Sequence, residues 1–392
     1  MTVRKKISFL ISFCFFTIVC LAQQVSVKHI DDQYRAVHWT ADEGLVRERW
    51  HTAILKDANG FLWVGSSHGE LSRFDGNSFQ QYLPDTTKRG CIRNNNCLAF
   101  TEDSLHNIWI GTARGLSRYD IIADTFTNFK TQPDAESPFE VALPFWATHD
   151  KLFYIEIDKW ITEYDIHSFA KKRLVNIEQP IKAGKIYGGP PGSYSVFDSV
   201  NNSIWMLCQN EDGLAEISLA SGKISYHIRE PYKKTLYHRD AEAMCYDRKR
   251  NCIWINSHDG LTQFTLNDKQ FHHIEELNAL TKLPDYDRFV GITLDPQGRI
   301  WHATSPKGIN IYDPASGSAT QPVSDSTLQN NIGFGNVKIY CDRDGIAWTS
   351  FWSVNGIYEL IPFSNVVHRY TANSGSPDSL ATMSIQNMVA GP

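Results

Sequence analysis

Beyond residue 22 the sequence has no long apolar run, no helical periodicity, no glycine-rich nucleotide-binding motif and no cluster of basic residues. Each absence excludes something. Without a second apolar stretch there is no membrane span after the N-terminus. Without a 3.6-residue period a helical or α/β fold is excluded. Without clustered Lys and Arg, nucleic acid and anionic lipid are excluded as main partners. Cysteine is sparse, at 8 in 392 residues, and no pair has the spacing of a zinc site.

The N-terminus carries an address. Arg4, Lys5 and Lys6 precede an apolar run from Ile7 to Leu21, and Cys20-Leu21-Ala22 before Gln23-Gln24 has the form of a signal-peptidase site. Residues 1–22 are therefore read as a signal peptide and the mature chain as exported to the periplasm. Its removal moves the formal net charge from −5 to −8. Six cysteines remain, and in an oxidising compartment Cys91 with Cys97, or Cys245 with Cys252, are close enough in sequence to bridge. Free buried thiols are the other reading.

What the chain has in quantity is a repeat. Phe100 to Phe129 reads as an apolar strand, a tight turn, a Trp-centred strand, a Gly turn, a strand ending in Tyr-Asp, and a last strand with aromatics three apart. Versions return around Trp63, Trp109, Tyr154 in the Trp place, Trp205, Trp254, Trp301 and Trp348, with spacings of 46, 45, 51, 49, 47 and 47 residues. Such spacings suit propeller blades and are too long for leucine-rich or ankyrin units. Short β-branched and aromatic alternation such as Leu62-Trp63-Val64 argues for strands. Asp57-x-x-Gly60 and Asp295-x-x-Gly298 are hairpin turns, Gly supplying positive φ and Asp bonding its own backbone. The expected fold is all-β: a seven-bladed β-propeller of four-stranded antiparallel blades over residues 23–365. Tyr34 to Trp39 is a detached strand able to close the ring, while residues 366–392 read as an outer strand and the start of a further repeat.

The unit D-x-x-G-x-[IL]-W-[IV]-G-T-x-x-G-L-x-x-Y-D, best in Asn107 to Asp120, resembles the two-component regulator propeller repeat. That repeat occurs in periplasmic sensor regions of hybrid two-component systems of Bacteroidetes. The resemblance spans residues 34–392 and implies a ligand-sensing propeller recognising an oligosaccharide, with a second propeller or a homodimer partner. The sequence departs from whole sensors in lacking a kinase phosphoacceptor region. It implies no catalysis by this chain and attachment to a membrane only through a region beyond residue 392.

A sugar surface needs rings for the apolar pyranose faces and planar polar groups for the hydroxyls. Residues of that kind lie on the connections between blades and the turns between second and third strands: Arg49, Trp50, Asn96, Phe145, Trp146, Tyr194, His238, Arg239, Asp240, His258, Tyr286, Arg288 and Trp352. These are the expected ligand-binding residues around the channel mouth. No cofactor and no metal is expected, and the adjacent pair His272-His273 points to opposite faces of a strand. The alternatives are a free-standing scaffold or adhesion module, and a propeller lyase or glycan hydrolase using His51, His238 and His258 as acid and base.

Overall fold

The computed structural model describes residues 28–29, 34–45, 51–66, 71–85, 87–129, 141–156, 159–183, 185, 194–208, 213–229, 241–257, 260–274, 290–304, 308–322, 337–351 and 355–363. The signal-peptide and tail readings, 1–22 and 366–392, lie outside them.

Two strands precede the repeats, β1 (Lys28–His29) and β2 (Tyr34–Trp39). Blade one is β3 (His51–Lys56), β4 (Leu62–Ser66), β5 (Leu71–Phe74) and β6 (Phe79–Tyr82). Blade two is β7 (Cys97–Glu102), β8 (Ile108–Thr112), β9 (Gly115–Asp120) and β10 (Thr125–Phe129). Blade three is β11 (Ala142–Ala147), β12 (Lys151–Glu156), β13 (Trp160–Asp165) and β14 (Lys171–Asn176), and a short helix, α1 (Glu178–Lys182), follows it. Blade four is β15 (Ser195–Asp198), β16 (Ser203–Leu207), β17 (Gly213–Ser218) and β18 (Ile224–Ile228), and blade five is β19 (Ala241–Asp247), β20 (Cys252–Ser257), β21 (Gly260–Thr265) and β22 (Gln270–His273). Blade six is β23 (Val290–Leu294), β24 (Ile300–Thr304), β25 (Gly308–Asp313) and β26 (Ser318–Gln321). Blade seven takes β27 (Val337–Cys341), β28 (Ala347–Phe351) and β29 (Ile357–Pro362) from the end of the described chain and β2 from its beginning. Neighbouring strands within each blade run antiparallel, and the result is a seven-bladed β-propeller.

Closure is the step that needs both ends of the chain. β2 pairs with β29 over its whole length, from Tyr34 opposite Pro362 to Trp39 opposite Ile357. The Trp39 indole donates to Glu359 Oε2 at 2.9 Å, and His38 stacks on Tyr358 with centroids 4.3 Å apart. β1 adds a fifth strand to blade six, where Lys28 and His29 pair in parallel with Thr320 and Gln321.

The core lies between blades. Trp63, Trp109, Trp205, Trp254, Trp301 and Trp348 are each at most 2% exposed, and Tyr154 fills the same place in blade three. Second strands lean on the next blade's inner strand at β4 with β7, β8 with β11, β20 with β23 and β24 with β27. At Gly111 a Cβ would come within 2.2 Å of the Ala142 carbonyl oxygen and 2.5 Å of Pro144, so β8 and β11 approach closer than any side chain allows.

The hairpin aspartates do more than turn the chain. In blade two Asp103 Oδ1 accepts the backbone N–H of Leu105 and Asn107, each at 3.0 Å, while Oδ2 accepts the Trp109 indole N–H at 2.9 Å. Asp57 holds Trp63 in the same way at 2.8 Å, and Asp295 holds Trp301 at 3.0 Å. Blades four and five have one more residue between Asp and Trp, with Asn202 and Asn251 taking up positive φ of 51°. The tie loosens there: Trp254 reaches Asp247 at 3.4 Å, and the Trp205 indole N–H has no partner among the described residues.

The two disulfide pairings are corrected: the six cysteines outside residues 1–22 are free thiols. Cys245 pairs across the hairpin with Trp254 and Cys252 with Asp247, so the two cysteines are diagonal neighbours. Diagonal partners lie too far apart for the short Cβ separation a disulfide requires.

Candidate functional site

The first strand of every blade lines the central channel. A cavity of about 330 Å³ opens there, touched by residues from all seven inner strands. Ile54, Phe100, Val196, Met244, Ile292 and Ile339 supply the apolar part of its wall, and Thr52, Thr293, Tyr246 and Tyr340 are among its polar residues. Lys338 is the charged group among the described lining residues, and burial pulls its pKa down to about 8. At neutral pH that leaves a cation in a channel of mixed polar and apolar lining.

The expected mouth residues divide. Asn96 lies just before β7, at the end where connections arrive; its carbonyl accepts the Ala113 N–H at 3.1 Å, and its side-chain oxygen is buried without a donor among the described residues. Tyr194 lies just before β15, its carbonyl accepting the Leu207 N–H at 3.0 Å, and its ring packs against the Trp205, Met244 and Phe264 core. Phe145 lines the channel cavity itself. Trp146 follows it past a bulge in β11, toward the hairpin at Thr148–Lys151. Both rings pack on Phe197, at centroid distances of 5.6 and 5.2 Å. Arg49, Trp50, His238, Arg239, Asp240, His258, Tyr286, Arg288 and Trp352 lie outside the described residues. His51, an acid–base candidate, is 3% exposed, and burial holds its pKa at about 4.

A second opening was missed by the sequence reading. At the end opposite the connections, a groove of about 700 Å³ lies between the first hairpins of blades four and five and the last turn of blade five. Asn201, Asn251, Asn267, Arg248, Glu216 and Lys269 line it, with the Tyr246 phenol. Asn251 Nδ2 donates to Asn267 Oδ1 at 2.7 Å, and Tyr246 donates to Asp198 at 3.1 Å. Lys269 Nζ is 3.3 Å from Glu216 and 4.5 Å from the Trp205 ring, a cation–π contact. Burial lowers the pKa of His227, with Lys269 adding to this, against the pull of Glu216 at 3.3 Å. Carboxamides, a guanidinium, an ammonium and a carboxylate on one concave surface can exchange hydrogen bonds with a polyhydroxylated ligand. The signal in the sequence was the asparagine in these turns, Asn201, Asn251 and Asn267, which the sequence reading did not single out.

Comparison with known proteins bears on the fold. No protein-family model matches the sequence, and no curated protein matches it either. Among solved structures, the extracellular domain of a hybrid two-component system from B. thetaiotaomicron is similar at 18% identity with a TM-score of 0.62, over 83% of this chain and 42% of that one. The extracellular domain of a one-component system from B. thetaiotaomicron is similar at 18% identity with a TM-score of 0.58, over 84% and 40%. PorZ, a surface component of the type-IX secretion system of Porphyromonas gingivalis, follows at 13% identity and 0.55, over 79% and 46%. The chain thus spans less than half the length of each. At these identities the likeness shows a shared propeller fold. Among the described residues no helix is long and apolar enough to cross a membrane.

Proposed function

We propose that this chain is a ligand-sensing propeller of a two-component signalling system, exported from the cytoplasm, that recognises an oligosaccharide without transforming it. The observation that carries the reading is the likeness of the closed seven-bladed ring to the extracellular domain of a hybrid two-component system, over 83% of this chain. The N-terminal address agrees with export, and the carboxamide-rich groove between blades four and five supplies the chemistry that sugar hydroxyls need. Binding signals by changing how the ring packs against a second propeller or a second copy, since the blades are joined by short ties that transmit a shift at one interface to the next.

The test is a glycan screen by thermal shift followed by calorimetry on the purified protein. One class of oligosaccharide should raise the melting temperature and bind with saturable heat, and Asn251→Ala or Arg248→Ala should weaken it. Well-folded protein that responds to no glycan would overturn the oligosaccharide reading and leave the ring as a docking module.

A further inference from the structure

Blade three departs from the repeat at one hairpin. In the other blades an aspartate at the first turn is engaged by backbone N–H groups, and in most by the indole of the second strand. Blade three has Tyr154 for Trp and a shorter turn, closed by the Thr148 N–H donating to the Lys151 carbonyl at 2.7 Å. The side-chain carboxylate of its acid, Asp150, receives no backbone donor among the described residues. It meets two imidazoles instead.

His149 Nδ1 lies 2.6 Å from Asp150 Oδ1, and His167 Nε2 lies 3.1 Å from the same oxygen. One ligand atom from each of the three residues falls within 4.8 Å of the other two. His149 and Asp150 come from the first hairpin of the blade and His167 from the last. The two turns are tied together, since the Ile166 N–H donates to the Asp150 carbonyl at 2.8 Å and Lys151 stands opposite Asp165 in the ladder. Asp165 Oδ1 in turn accepts the His167 and Ser168 N–H groups at 3.1 and 2.7 Å, which fixes the backbone that presents His167.

We propose that His149, Asp150 and His167 form a site for one divalent cation of the zinc class. Two imidazole nitrogens and one carboxylate oxygen are a donor set that suits zinc, and nickel or copper by the same softness. Ligand atoms around a tetrahedral zinc stand about 3.3 Å apart, given metal–ligand distances of roughly 2.1 Å. The present separations need only side-chain rotation on an exposed rim to reach that. The fourth position faces solvent and takes water or a donor from another molecule. The ion staples the first and last hairpins of a blade that has neither the tryptophan nor its aspartate tie. The sequence reading expected no metal and did not weigh these three residues, since Asp150 and His167 are 17 residues apart and only the pairing of the two turns joins them.

The test is a zinc titration of chelator-dialysed protein in competition with a chromophoric chelator. One equivalent should bind, with a rise in melting temperature. His149→Ala and His167→Ala should each weaken binding by at least the roughly 10–100-fold that loss of a supporting group costs. Both variants should melt like the parent when a chelator is present. An absence of zinc binding by the parent would overturn the proposal, as would one equivalent that persists in the double variant.

Discussion

An imidazole has two nitrogens that need partners, and in His51 and His302 neither nitrogen has one among the described residues. The rings are 3% and 0% exposed, and burial holds each pKa at about 4. A base whose folded pKa lies below its unfolded value of 6.5 stays neutral in the fold and takes a proton on unfolding. Its contribution is therefore complete above pH 6.5 and is lost as pH falls toward 4. Each histidine accounts for about 3 kcal/mol over that window. His227, also lowered by burial, acts in the same direction, while Glu359, raised by burial, opposes them. Asp75, Asp85 and Asp165, held down by hydrogen bonds, matter only below the ordinary aspartate value of 3.8, so the window belongs to the histidines. Circular-dichroism melts should fall steeply between about pH 7 and pH 4.5. The double variant His51→Asn, His302→Asn should show a shallower slope, whatever its absolute stability. A parent melt that is flat across this range would refute the assignment of these rings as buried and neutral.

At the scale of the element the hairpin is the unit that repeats. One aspartate both closes the turn and fixes the indole of the following strand, so strand pairing and blade-to-blade packing are set by a single side chain. Asp103→Ala removes the acceptor for two backbone groups and for the Trp109 indole, and the Asn107 and Trp109 donors are buried. Leaving such donors unpaired should cost about 3 kcal/mol, read as a lower denaturant midpoint at an unchanged slope. Asp198→Ala, where the indole is already without that bond, should cost less. The pair of variants separates the tie from the turn. This unit is also where the sequence was most legible. The Trp spacing, the Asp-x-x-Gly turns and the β-branched alternation were enough for blade number, strand order and the hairpins. The second role of the aspartate was not legible, because a period in sequence says that Asp and Trp recur together and not that they touch. The site was less legible still. Phe145 and Trp146 were expected together at the channel mouth, and the structure sets Phe145 in the channel wall while a bulge turns Trp146 toward the hairpin end. The groove and the His149–Asp150–His167 group each depend on turns from different hairpins meeting, which no spacing along the chain reveals.

At the scale of the molecule the ring is a closed cycle of interfaces, and one of them is made by the first part of the chain. Polar ties cross between blades at the hairpin end. Lys56 reaches Asp342 and Asp344 at 2.8 and 2.7 Å, joining blades one and seven. The Ala58 N–H donates to the Glu102 carboxylate at 3.1 Å, and Arg250 donates to the Gly298 carbonyl at 2.8 Å. β2 adds a tie of its own, with Arg299 Nη2 of blade six donating to the Tyr34 hydroxyl at 2.6 Å and Tyr34 set edge-on to Trp301 at 4.9 Å. The first strand therefore bridges blades six and seven. Deleting residues 23–40 removes the outer strand of blade seven, exposes the edge of β29, and strips cover from Trp301. Loss of Tyr34 and Trp39 burial alone is worth several kcal/mol at about 25 cal/mol per Å². The melting temperature should drop by about 10 °C, and the exposed edge should promote self-association on a sizing column. Adding back a peptide of residues 28–40 should restore part of the stability, since its partner strand is preformed. A shortened protein that melts with the parent would mean that some other segment fills the outer place, and the closure of blade seven by β2 would have to be abandoned.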